Sequence, residues 1–186
     1  MNKRDLLPVF LLALLPCVPA AAAPAATTAS AVAGLHELDV SAGRWIYHGR
    51  SMGGAGVKPS AWTWHEDCRW SANRAFMLCS FSNTWGARHV NSVVIDTYDR
   101  HAHTFWHYEV FDSGKVAGKP FASRMRIDGP VRIESWTGKH HGKPIERRIV
   151  YRFASDHRVS VRFEESNDGT HWKTTASGTG VKLAAR

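Results

Sequence analysis

The sequence predicts an all-β protein, an antiparallel barrel or sandwich of up to ten short strands. Three observations predict it. Segments rich in Val, Ile, Thr, Phe, Tyr and Trp recur between clusters of turn-forming residues. Apolar and polar side chains alternate inside several of these segments, and helical periodicity is almost absent.

The strands follow in order. The first is Gly43 to Met52, ended by SMGGAG; Trp62 to Trp70 and Ala75 to Trp85 follow, joined through SANR. After WGAR come Val90 to Tyr98, the turn DRHAH, and Thr104 to Asp112. DSGK leads to Pro120 to Ile127, and IDGP to Val131 to Trp136. TGKHHGK, ASDH and NDG then separate Pro144 to Phe153, Arg158 to Ser166 and Thr170 to Val181. Inside faces can be read by parity: Val159, Val161 and Phe163 alternate with Arg158, Ser160 and Arg162, and Ile149, Tyr151 and Phe153 alternate with Arg148, Val150 and Arg152. A tight turn at Asp168-Gly169 would pair Glu165 with Trp172 and send Trp172 inward. Arg147 shares the inward parity and meets Glu165 if the loop after Phe153 has five residues.

Ahead of the strands, Lys3 and Arg4 precede an apolar run from Leu6 to Val18 and then small residues at Ala20 to Ala23. That layout is expected of a secretory signal peptide cleaved after Ala21 or Ala23. The run is shorter than the roughly 20 residues a membrane-spanning helix needs. Pro16 before Cys17 argues against a lipid-anchored N-terminus. The division expected is a signal peptide over 1–23, a flexible leader over 24–34 and one domain over 35–186, in a periplasmic or secreted protein.

Export bears on Cys68 and Cys79, the cysteines a processed chain would keep. In an oxidising compartment they are expected to form one disulfide. Strand geometry agrees: if the second and third strands pair so that residue numbers sum to 147, Cys68 lies opposite Cys79, Trp70 opposite Met77, Glu66 opposite Phe81, Trp64 opposite Asn83 and Trp62 opposite Trp85.

Lys plus Arg number 24 against 16 Asp plus Glu. Without residues 1–23, 22 cations face 15 anions, a net +7. The cations, among them Arg124, Arg126, Arg132, Arg148 and Arg162, are scattered with no run longer than two, which describes a solvated basic surface. Weak contact with an anionic surface is compatible with it, and no specific nucleic-acid partner is expected. Oligomeric state cannot be read from the sequence.

The stretch Gly34-Leu35-His36-Glu37-Leu38-Asp39-Val40-Ser41-Ala42-Gly43-Arg44-Trp45 is a short helix running into G-x-W, and it resembles the start of lipocalin-like (calycin) barrels. Thr97-Tyr98-Asp99-Arg100, Phe111-Asp112-Ser113-Gly114-Lys115 and Glu165 to Trp172 resemble segments of a bacterial family of lipocalin-like secreted proteins whose function is not known. The resemblance spans roughly Leu35 to Leu183. It implies an antiparallel up-and-down β-barrel of about eight to ten strands with a short N-terminal helix, forming a cup for a small apolar molecule.

With eight tryptophans in the chain, parity makes such a cup aromatic. Its wall would hold Trp45, Tyr47, Trp62, Trp64, Trp70, Phe81, Trp85, Tyr151, Phe163 and Trp172. The ligand-binding residues expected are Trp45, Tyr47, Trp64, Glu66, Phe81, Tyr151 and Trp172. The competing reading is that these rings simply fill the barrel, since each large ring buries roughly 150 to 250 Å². Glu66 on an inner face would have a raised pKa.

Asp99, His101, His103 and His107 form a local cluster, and His140-His141 another. H-x-H suits Zn or Cu, but His101 and His103 fall in a turn without further evident ligands, so no metal is expected. Gly43, Gly49, Gly53 and Gly54 loosely echo the Gly-rich first strand of small barrels that hold haem through one axial His; no cofactor is expected. No nucleophile motif, Gly-rich phosphate loop or paired-carboxylate spacing occurs, so no catalytic role is assigned. The function expected is binding of a small hydrophobic or amphipathic ligand. The alternatives are a cell-envelope interaction module and an enzyme using Glu66 or a His as in-barrel acid/base.

Overall fold

The computed structural model describes residues 34–53, 58–112 and 120–184. Among them are ten strands: β1 (Gly43–Ser51), β2 (Ala61–Trp70), β3 (Met77–Trp85), β4 (Arg88–Asp99), β5 (Thr104–Asp112), β6 (Phe121–Asp128), β7 (Val131–His140), β8 (Lys143–Ser155), β9 (Arg158–Ser166) and β10 (Lys173–Lys182). Each pairs antiparallel with its chain neighbour, and β1 pairs with β10, so the sheet closes into an up-and-down barrel. The expected signal peptide, leader and Cys17 lie outside the described residues.

A 3-10 helix, Leu35–Ser41, precedes β1 and plugs one end. Leu35 and Leu38 from its inner side pack with Met77, Val94, Phe105 and Met125 and with the disulfide. Asp39 on its outer side accepts a hydrogen bond from Trp70 Nε1 at 2.8 Å and one from Arg74 at 2.5 Å. Trp45 completes the seal, with its indole N–H donating to the carbonyl of Ser41 at 3.1 Å.

The β2–β3 register is the predicted one, from Trp62 opposite Trp85 to Trp70 opposite Met77. Cys68 and Cys79, 4.1 Å apart at Cα, are joined as a disulfide. The connection is a six-residue loop from Ser71 to Phe76, two residues longer than SANR, with Arg74 taking the positive φ. The β8–β9 register is the one in which Arg147 meets Glu165: Phe153 pairs with Val159 and Arg147 Nε donates to Glu165 Oε1 at 2.8 Å, but no five-residue loop follows, because the strands run on past a bulge to a two-residue turn at Asp156-His157.

The β9–β10 register differs from the expected one. β10 begins only at Lys173, which pairs with Glu165, and a bulge between Thr174 and Ala176 shifts the ladder again. The cause is Asp168. Its carboxylate accepts the backbone N–H groups of Thr170 and His171 and so stabilises a six-residue turn, Asn167 to Trp172, in place of a tight one. Trp172 therefore lies before the strand. Its ring stacks under the Arg148 guanidinium, 3.8 Å away, and does not face the interior with Ile149 and Tyr151. Arg132 departs as well: it is buried inside the barrel, not part of the basic surface.

Gly49 and Gly178 sit opposite each other on β1 and β10. The Trp62 indole lies flat across both, and a Cβ on either glycine would collide with it. Gly180 gives the same clearance to Tyr47. The small residues of SGTG thus make room for the large rings of the neighbouring strands.

Candidate ligand-binding site

Inward parity stacks the interior in layers. Trp45 and the disulfide close the end covered by the helix. Above them lies a polar layer, formed by Tyr47 from β1, Glu66 from β2, Asp96 from β4, His107 from β5, Arg132 and Glu134 from β7, and Tyr151 from β8. Glu66, Asp96, His107, Arg132, Glu134 and both tyrosines are buried.

Asp96 is the hub of this layer. Its Oδ1 accepts from His107 Nδ1 at 2.8 Å and its Oδ2 from an Arg132 terminal nitrogen at 3.1 Å. The other terminal nitrogen of Arg132 donates to Ser41 Oγ at 3.0 Å, tying the layer to the helix. Burial alone would raise the Asp96 carboxyl, but Arg132 and His107 together hold it below its ordinary value. Burial alone would likewise depress His107. The carboxylates of Glu134 and Asp96 outweigh it and hold the imidazolium form well above the ordinary range.

Glu66 behaves as an inward carboxyl should. Desolvation raises it to about 7, with Arg132 and a Tyr47 hydrogen bond pulling the other way. One Glu66 oxygen lies 2.9 Å from Cys68 Sγ. That sulfur belongs to the disulfide, so it has no proton to donate. With Cys79 it offers no thiolate pair for a metal.

Past this layer the barrel opens into a cavity of about 280 Å³. Trp64, Phe81, Phe121, Trp136, Ile149 and Phe163 form its walls, with Val90 and Phe111 toward the mouth; Asn83, Ser92, Glu109 and Glu134 supply its polar groups. The rings support one another: Trp64 lies 5.1 Å from both Tyr47 and Phe81, and Trp136 meets Phe121 edge-on at 5.4 Å. Ser92 Oγ donates to Glu109 at 2.5 Å and Ser123 Oγ to Glu134 at 2.7 Å. The cavity lies at the small end for a ligand site, for which about 300 to 1,000 Å³ is usual, so it suits a compact molecule of one to three rings.

The expected site residues thus divide. Trp64 and Phe81 line the cavity. Trp45, Tyr47, Glu66 and Tyr151 are inward but lie beneath it, and Trp172 is outside the barrel wall. Sequence reasoning missed Glu109, Glu134, Phe121 and Trp136, and it grouped His107 with turn histidines. The signal was present: with Asp99 opposite Thr104 across the turn, Asp96 falls opposite His107. His101 and His103 are exposed in that turn, where Asp99 accepts the backbone N–H groups of His101 and Ala102. No histidine is among the described residues lining the cavity; His107 lies beneath it, paired with Asp96.

No family model matches the chain, and no curated protein is similar to it in sequence. Among solved structures, Rv2717c from M. tuberculosis is similar at a TM-score of 0.52 and 10% identity, over 81% of this chain and 97% of that one. The S-type phycobiliprotein lyase CpeS from Guillardia theta is similar at 0.51 and 11% identity, over 86% and 96%. At such low identity the likeness is one of fold alone, and with the closed ten-strand sheet it fits a lipocalin-like barrel fold.

Proposed function

We propose that the protein binds a small hydrophobic or amphipathic ligand in the aromatic cavity, and that it does so outside the cytoplasm after loss of residues 1–23. The observation that carries the reading is that the barrel keeps a void among its rings, where packing could have filled it. The fold shared with a phycobiliprotein lyase supports a small-molecule role without naming the ligand, and the short resemblance to a bacterial family of secreted proteins fits export.

The acid/base alternative draws on the raised Glu66 carboxyl. That group lies below the cavity, beneath Trp64 and Phe81, so a substrate in the cavity would not reach it. The envelope-module alternative would need no void at all.

The test is a titration with N-phenyl-1-naphthylamine, a neutral fluorophore that brightens in apolar sites, alongside mass spectrometry of small molecules co-purified from the native host. Saturable brightening, reversed by a co-purified molecule, is expected. Replacing Trp136, which lines the cavity but is only half-buried, by Ala should weaken binding by about 1 to 3 kcal/mol. No brightening and no co-purified molecule would leave the rings as packing and end the reading.

A further inference from the structure

The cavity has an unequal set of polar groups. Glu109 and Glu134 offer carboxylates, Ser92 and Ser123 already direct their hydroxyls at those carboxylates, and Asn83 has a buried side-chain oxygen without a hydrogen-bond partner among the described residues. Among the described residues, no Lys or Arg lines the space. The two carboxylates converge, since His107 Nε2 lies 3.8 Å from a Glu109 oxygen and 3.6 Å from a Glu134 oxygen.

Charge in the layers below does not close. Asp96, Glu109 and Glu134 make three carboxylates against two cations, His107 and Arg132, and Asp96 engages both cations. Glu66 from β2 adds a fourth carboxyl. Tyr47 and Tyr151, from β1 and β8, are held in their neutral form by burial. Lys182 of β10 sits over Trp45 at the far end, and the rim pair Arg147 and Glu165 is balanced. A buried excess of negative charge is costly unless something brings positive charge to it. Aromatic faces above the acids favour a cation as well.

Resting on the cavity as a binding site, we propose that its ligand is an organic cation: an amine on a flat apolar body, the ammonium meeting Glu109 and Glu134 and the body lying among Trp64, Trp136 and Phe163. The cavity admits one such group at its acidic floor and offers mainly aromatic and aliphatic surface to the remainder.

Three indoles of nearly equal size test this by calorimetry: tryptamine, neutral tryptophol and anionic indole-3-acetate. Tryptamine should bind at least about tenfold more tightly than tryptophol, as a charged hydrogen bond warrants, with indole-3-acetate weakest. Glu134→Gln and Glu109→Gln, which keep an acceptor for Ser123 and Ser92, should each erase most of that preference, lowering the affinity for tryptamine far more than that for tryptophol. The ranking on the unaltered protein stands even where a variant misfolds. If tryptophol or indole-3-acetate matches tryptamine, or if none of the three binds while N-phenyl-1-naphthylamine does, the cation assignment falls and the cavity remains a ligand site. If neither the indoles nor the fluorophore binds, both are overturned.

Discussion

Glu66 shows how one buried carboxyl sets a pH dependence. Its pKa is raised from 4.5 to about 7 in the folded protein, chiefly by burial. Between those values the folded chain keeps a proton that the unfolded chain has lost, so stability falls as pH rises through the interval. The full difference, above pH 7, is about 3 kcal/mol of destabilisation. His107 contributes in the same direction at higher pH: its pKa is raised, so its stabilisation is complete below about 6.5 and is lost as pH climbs through the folded value. Comparing Glu66→Gln with the parent isolates the first effect. The variant should be nearly equal in stability at pH 4 and more stable by a few kcal/mol at pH 8, read from urea unfolding at both. A difference that does not change with pH would show that Glu66 is not held protonated. The inward placement of Glu66 was legible from parity alone. Its partners were not, because Arg132 and Asp96 reach it from strands far along the chain.

At the scale of elements, legibility followed turn chemistry. The β2–β3 register was readable because two cysteines fix it, whereas the β8–β9 register was left conditional on a loop length, because the bulge before Ser155 that sets it leaves no mark in the turn residues. The β9–β10 register was not: Asp-Gly suggests a tight turn, and only side-chain capping by Asp168 makes it a wide one. Charge on Arg132 was misread as surface because a strand with alternating Arg132 and Glu134 looks the same whether that face meets water or a buried Asp96. The seam between β1 and β10 gives a direct test of packing. Gly178→Ala places a methyl 2.6 Å from the Trp62 ring, and the backbone carbonyl of His48 blocks the other side. Overpacking of this kind should cost about 1 to 3 kcal/mol, measured by thermal unfolding. An unchanged melting temperature would mean that Trp62 can turn away from the seam.

For the whole molecule, the barrel class was written in strand count and alternation, whereas the void was not. Parity says which rings point inward, not whether they meet. Two devices decide that here. Glycines on β1 and β10 let Trp62 and Tyr47 lie flat against the wall, which keeps their bulk to one side. The ion-paired layer occupies the middle of the barrel, so aromatic packing is split into a sealed end and an open one. That split explains why four of the seven expected contact residues, Trp45, Tyr47, Glu66 and Tyr151, are inside the barrel yet below the cavity.

The closure of β1 on β10 also decides how the protein could be handled or held. Trp45 pairs with Lys182, and the Leu183 N–H donates to the Arg44 carbonyl at 2.7 Å, so the described N- and C-terminal segments leave the barrel side by side at the plugged end. The mouth points the opposite way. A tether attached at either end, to a resin, a fused domain or a surface, hangs from the base and leaves the opening clear. Fusing a bulky folded domain after Ala184 should therefore leave the affinity for N-phenyl-1-naphthylamine within about twofold. The same domain inserted at Gly142, in the β7–β8 turn on the mouth side, should obstruct entry and slow association, as stopped-flow fluorescence would record.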